Sequence, residues 1–310
     1  MRVLITGAAG HLGPNVCKAF LRDGANVRVL LHRKKMKDLS ASLDIVYGDV
    51  TELGSVKKAV ENVDAVVHMA GVVQPLSEEK PDLAAKVIVG GTRAVVDAIK
   101  ERGDRIPFVF TSSASVFGPR PDAIECLHPE RDPCNPSTTY ARTKIQAEEL
   151  IKGSGIDYAI LRLTAIPYPK ISFGNYKTYA FTIPLKNRWE FCHPDDLALA
   201  ILNAVKKFDM VKGKTLLIAG GPSQQMLYED MLRALLGTFG LPLPPRHKFT
   251  EEPFPVHWYD TSESQALLDY QTRTLDDYRG DLARQFPAPF VALMRRAIGP
   301  AFGRLIVRLI

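Results

Sequence analysis

Apolar residues come in short runs separated by stretches where they recur every three or four positions. Residues 3–6, 26–31, 44–46, 64–69, 107–112 and 157–163 are runs rich in β-branched and aromatic side chains, the pattern of buried strands. Helical spacing follows the first run (Val16, Ala19, Phe20) and fills residues 53–60, 82–102 and 140–152. This alternation predicts an α/β chain with a parallel, doubly wound sheet and a ligand crevice beyond the carboxyl ends of the strands. Residues 118–139, rich in proline and polar side chains, read as a loop. Beyond residue 165 the pattern loosens: 167–191 is irregular and aromatic, 194–207 reads as a helix, and 214–219 as a strand returning to the sheet. The expected organisation is a main domain over 1–165, its sheet completed by about 192–219. A smaller C-terminal substrate lobe is expected from 166–191 and 220–286, then an amphipathic tail over 287–310.

The first run stops at Gly7, and Gly7, Gly10 and Gly13 follow at G-x-x-G-x-x-G spacing, with Ala9, His11 and Leu12 between them. Glycines allow a tight turn and let backbone N–H groups approach a pyrophosphate at the N-terminus of the next helix. Placed directly after a strand and before a helix, the triplet predicts a dinucleotide site.

Composition changes this picture little. A net charge of +6 and a pI near 9.0 favour anionic ligands, but no long Lys/Arg run marks a nucleic-acid face. Cys17, Cys126, Cys134 and Cys192 have no metal-binding spacing, so no metal is expected, and reduced thiols are favoured over a Cys126–Cys134 bridge. No leader is expected ahead of the first strand, and no uninterrupted apolar run nears the ~20 residues that span a bilayer. A cytoplasmic location is the expectation.

Tyr140 and Lys144 stand at Y-x-x-x-K spacing on a predicted helix, which stacks phenol and ammonium on one face. A phenol with a pKa of about 10 is a poor base at neutral pH. An ammonium about 4 Å away, at an effective dielectric near 20, is worth roughly 4 kcal/mol. That is about three pKa units, enough to bring the phenol into working range. The preceding strand ends in Thr111-Ser112-Ser113, which supplies a hydroxyl to hold a substrate oxygen.

GAAGHLG, Gly48-Asp49-Val50, VVHMAG, TSSASVFG, YARTK, LRL and FCHPDDLA, met in that order over about residues 1–235, resemble the extended short-chain dehydrogenase/reductases, the NAD-dependent epimerase/dehydratase group. The resemblance implies a Rossmann fold with a bound nicotinamide dinucleotide and, by family habit, a homodimer. Matched position by position, Tyr140 would be the acid/base. Lys144 would lower its pKa and hold the nicotinamide ribose, and Ser113 would bind the reacting oxygen. Asp49 and Val50 would meet the adenine, and Met69, Ala70, Gly71, Thr111 and Ser112 would line the cofactor channel. Phe117, Thr164, Tyr168 and Trp189 would join Ser113 on the substrate.

Departures from the family pattern narrow the reaction. NAD-selective folds end the second strand in a carboxylate, whereas this chain has Leu31 followed by His32 and Arg33. A guanidinium grips a 2′-phosphate that a carboxylate would repel, so NADP(H) is favoured over NAD(H). Ala114 and Ser115 replace the Asp-Glu pair of sugar-nucleotide dehydratases, which argues against that elimination. Ala165 and Trp189 stand where nucleotide-sugar members carry Asn and Arg, weakening the diphosphate anchor unless Arg188 substitutes. Ile88 replaces an Asn ahead of Gly91-Thr92, and Asp196 reads as support for a helix start. The aromatics within 168–191 form either a small core or an apolar substrate pocket. The tail mixes Phe290, Leu293 and Ile298 with Arg296, Arg304 and Arg308, and either packs on protein or rests on a membrane surface. The expected activity is hydride transfer between nicotinamide and a carbonyl or secondary alcohol of a small molecule. An epimerase or dehydratase that recycles its cofactor, and a non-catalytic dinucleotide sensor, are the alternatives.

Overall fold

The computed structural model describes residues 1–33, 36, 39–120, 126–129, 131–166 and 180–286. Strands β1 (Arg2–Thr6), β2 (Asn26–Leu31), β3 (Asp44–Tyr47), β4 (Ala65–His68), β5 (Phe108–Ser113), β6 (Tyr158–Leu163) and β8 (Thr215–Ile218) form one parallel sheet, in the order β3-β2-β1-β4-β5-β6-β8. The order reverses between β1 and β4, which opens a crevice at their carboxyl ends. Side chains alternate across the sheet. Val3 and Ile5 enter one apolar layer with Phe20 and Ile201, and Leu4 enters the other with Val95 and Phe108. Burial on both faces explains why the strands read as continuous apolar runs.

The helices between strands are α1 (Gly13–Arg22), α2 (Leu53–Val60), α3 (Leu76–Glu79), α4 (Pro81–Ala85), α5 (Gly91–Arg102) and α6 (Thr139–Lys152). The single helix expected over 82–102 is broken by a turn of π geometry at Lys86–Gly90. Three β-branched residues (Val87, Ile88, Val89) crowd the backbone there, and the Thr92 hydroxyl donates to the Ile88 carbonyl at 2.6 Å. Gly91 lets the helix close on Val50, whose Cγ1 would lie 3.2 Å from any added Cβ.

The stretch read as irregular contains a strand, β7 (Arg188–Glu190), antiparallel to β9 (Gln225–Leu227). Three residues are too few to show a period, and the partner lies far along the chain. His193 caps helix Pro194–Lys206, its Nδ1 accepting from the Asp195 N–H at 3.1 Å. Asp196 stands in the first turn of that helix but does not cap it. Its carboxylate accepts from the Thr272 hydroxyl at 2.7 Å and from the Thr272 and Arg273 N–H groups at 3.1 and 2.9 Å, which pins a distant loop. The tail and Tyr168 lie outside the described residues.

Candidate active site

β1 delivers the chain to Gly7 at φ 72°, where an added Cβ would sit 2.6 Å from the Ala70 nitrogen. At Gly13 a Cβ would sit 2.0 Å from the Ala8 carbonyl oxygen, so both glycines are needed to close the turn. α1 starts there with no side-chain cap at Leu12 and no acidic residue in its first turn. Pro14 brings no N–H, and the Asn15 and Val16 N–H groups bond to the Leu12 carbonyl, which leaves the Leu12 and Gly13 N–H groups for an anion. Gly7, Ala9, Gly10, His11, Leu12 and Gly13 line a cleft of about 1420 Å³. Ligand pockets usually measure about 300–1,000 Å³, so a dinucleotide and a second molecule fit together.

His32, Arg33, Asp49 and Val50 line one end of this cleft. Asp49 accepts from the Thr51 N–H and hydroxyl, both at 2.9 Å, and lies 3.8 Å from His32. The Thr51 N–H, acting against partial burial and helped by nearby His32 and Lys86, holds the Asp49 carboxyl below its usual range. Lys86, which the sequence did not single out, lines the same end. Leu31 is only 2 % exposed and packs into the core, so a carboxylate could not simply be exchanged for it. Met69, Ala70, Gly71, Thr111 and Ser112 line the middle.

Ser113, Tyr140 and Lys144 all line this cleft. Thr138 caps α6 by accepting from the Ala141 N–H at 3.1 Å. Glu78 accepts from the Thr139 and Tyr140 N–H groups at 2.9 and 3.1 Å, so it holds the turn that presents Tyr140. Burial opposes the Glu78 charge, but these bonds outweigh it and keep the carboxyl below its usual range. The Lys144 ammonium is buried, donates to the Thr111 carbonyl at 2.6 Å, and lies 4.6 Å from the Phe110 ring centre and 5.8 Å from that of Tyr140. Burial pushes Lys144 down to about 8, with Glu148 pulling the other way. The Ser113 hydroxyl accepts from the Ser115 N–H at 3.2 Å and lies 2.9 Å from the Ser115 hydroxyl.

Two buried networks support these groups. The Thr6 hydroxyl accepts from the Met69 and Ala70 N–H groups and lies 2.6 Å from His68 Nδ1. Its own proton therefore goes to His68. The His68 Nε2–H faces the Thr92 hydroxyl at 3.1 Å, and Thr92 donates onward to Ile88. The chain of donors sets the tautomer, and burial, then the Lys144 charge, pushes His68 down to about 3. His68 is thus a neutral packing residue. In the second network Arg162 grips Glu148 with two bonds, at 3.0 and 2.7 Å, and Ser112 donates to the same carboxylate at 2.5 Å. Glu148, one helical turn beyond Lys144, ties α6 to β5 and β6.

Phe117, expected on the substrate, does not line the cleft. It ends a 3₁₀ turn (Ala114–Phe117) and is fully buried with Leu127 and Tyr259, under an Arg162 guanidinium 5.0 Å from its ring centre. Thr164 and Trp189 do line the far end, with Ile183, Tyr228, Met231 and Phe254. Arg188 does not line the cleft, and its guanidinium lies 5.0 Å from the Trp258 ring centre.

Sterol demethylase protein B of Methylococcus capsulatus is 33 % identical over 176 residues, covering 54 % of this chain and 52 % of that protein. The dTDP-glucose 4,6-dehydratase of Mycobacterium tuberculosis is 29 % identical over 171 residues, covering 52 % and 50 %. The chain spans about half the length of the curated relatives it matches. The UDP-glucose-4-epimerase structure from Stenotrophomonas maltophila, with bound NAD and formylated UDP-arabinopyranose, superposes with a TM-score of 0.76 at 21 % identity, covering 96 % of this chain and 99 % of that one. That likeness establishes the same fold. The sequence model of the NAD dependent epimerase/dehydratase family matches residues 3–219, and the chain belongs to that family.

Proposed function

We propose that the chain is an oxidoreductase that uses NADP(H) in preference to NAD(H) on a carbonyl or secondary alcohol. The observation that supports this reading is that Ser113, Tyr140 and Lys144 line one cleft with a helix N-terminus that has no side-chain cap, behind a glycine turn. The Gly7–Gly13 turn would hold the pyrophosphate, Asp49 the adenine side, His32 and Arg33 the 2′-phosphate, and Lys144 the nicotinamide ribose. When bound, the nicotinamide supplies or takes up the hydride.

The chain's own groups handle the proton. Because the Ser113 oxygen accepts from the Ser115 N–H, its own proton can be turned toward a substrate oxygen. Tyr140 gives a proton to that oxygen in reduction and takes one in oxidation. The Lys144 ammonium favours the phenolate, and its contact with the Thr111 carbonyl keeps it in place. Ile88 offers no side-chain amide to order a proton relay beside Lys144. Ala114 and Ser115 lack the carboxyl groups that elimination of water would use. The reading also has the chain cytoplasmic and paired with a second copy, which light scattering on the purified protein tests.

Tyr140→Phe should lower turnover by at least ~10² while dinucleotide binding survives. Undiminished turnover would refute the role of the phenol. An epimerase using the same groups would return its cofactor unchanged. A net change in absorbance of the reduced nicotinamide during turnover therefore separates the two activities.

A further inference from the structure

We infer that the far end of the cleft takes an uncharged, largely hydrocarbon substrate, whose secondary hydroxyl or ketone reaches Ser113 and Tyr140. The inference rests on the oxidoreductase reading for the chemistry, but on separate residues for the choice of substrate.

The wall beyond Ser113 is apolar. Ile183, Trp189, Met231 and Val256 belong to one hydrophobic cluster that closes this end, and the Trp189 and Tyr228 rings pack at 5.1 Å between centres. The wall's hydroxyls are engaged, whereas the buried Trp189 Nε1–H has no hydrogen-bond partner among the described residues. The Tyr228 hydroxyl donates to the Ala180 carbonyl at 3.1 Å, and the Thr164 hydroxyl to the Glu190 carbonyl at 3.4 Å.

Charge is distributed just as unevenly. Among the described residues lining the cleft, His32, Arg33 and Lys86 stand at the nucleotide end, and Lys144 is committed to Thr111. The far end has no cation among them. Arg188 is the nearest replacement in the sequence, yet it sits outside the lining, over the Trp258 ring. A diphosphate placed at this end would lose its hydration with no opposite charge among the described lining residues to offset the loss. A hydrocarbon skeleton placed there gains by leaving water. Pockets of this composition orient an apolar ligand with a few polar groups, here Ser113 and Tyr140.

The test compares two probes on the full chain, 2-decalone and UDP-glucose. The chain has two tryptophans, so Trp258→Phe leaves Trp189 as the reporter. Titrated 2-decalone should change Trp189 emission saturably, with or without NADP+, and UDP-glucose should not. Met231→Lys, which puts an ammonium into the wall, should weaken 2-decalone at least ~10-fold. If UDP-glucose binds more tightly than 2-decalone to the unsubstituted chain, or if 2-decalone shows no saturable binding, the inference fails. The comparison on the unsubstituted chain needs no variant to fold. Loss of NADPH binding with 2-decalone binding intact would instead sink the oxidoreductase reading and leave this one standing.

Discussion

At one end of the cleft, His32, Arg33 and Asp49 come from the turns after β2 and β3, and Lys86 from the π turn before α5. At the other, Ala165, Trp189, Tyr228 and Val256 arrive from segments spread through the later chain. The first end is polar and set by short-range turns. The second is apolar and exists only because distant segments pack on one another. Affinity for a dinucleotide and choice of substrate are therefore separable properties of this molecule. Substitutions at one end should leave the other nearly untouched.

The largest expected effect is on the apolar end. Trp189 is 6 % exposed and packs on Tyr228, so Trp189→Ala should cost about 3–5 kcal/mol, read from urea denaturation. Binding of 2-decalone should fall with it, while NADPH affinity per folded molecule stays unchanged. A parallel loss of NADPH affinity would show that the two ends are coupled.

Gly7→Ala attacks the other end. The new Cβ would meet the backbone of residues 69–70 at 2.6 Å and force a side chain into positive φ. Strain of that kind costs on the order of 1–3 kcal/mol. Titration with NADPH should show a loss of at least ~10-fold, since about 1.4 kcal/mol is a factor of ten. Equal damage to 2-decalone binding would break the comparison.

Arg33→Ala is a milder probe. It should weaken NADPH about 10-fold and leave NADH within about 2-fold, because only the 2′-phosphate loses a partner. Equal effects on both cofactors would remove the assignment of Arg33. Substitution of Leu31 is a poor test, because that side chain is part of the core.

The smallest effect is a difference in pH response. Burial raises the Glu190 carboxyl to about 7, although the Tyr259 and Gly221 N–H groups and the Gln225 amide bond to it. A carboxyl raised on folding lends stability below its unfolded pKa and loses that contribution as pH rises through about 7. Asp49 runs the opposite way. Its carboxyl is lowered, so its contribution is present above the unfolded pKa and fades as pH falls through the folded one. Thermal melts of the unsubstituted chain against Glu190→Gln should show the difference in Tm shrinking or reversing between pH 5 and pH 8 if about 7 is the folded value. A difference that stays constant would contradict the shift.

Much of the frame could be read from local pattern. The strand runs, Thr215–Ile218 among them, and the glycine turn each depend on residues near one another in the chain. The helix over 82–102 was legible as a helix but not as an interrupted one, since the π turn answers to contacts with Val50 and Thr92. Phe117 misled for a similar reason. Its motif position implied the substrate, yet the 3₁₀ turn before it aims the ring into the packing between Leu127 and Arg162. Glu78 and Glu148 gave little sign in the sequence of what they do. An Arg inside the apolar run of β6 was the one hint that a buried carboxylate must face it.

By itself, then, the amino-acid order determined the alternation of strands and helices, the anion-ready turn, and the stacking of Tyr140 and Lys144 on one helix face. Each follows from backbone periods of two and 3.6 residues and from what glycine permits. The tertiary structure alone decided which ring lines the cleft and which is buried. It also decided the proton positions on His68, the partner of β7, and the apolar wall around Trp189. Those outcomes depend on burial and desolvation summed over segments far apart in the chain, and no local period encodes which of those segments meet.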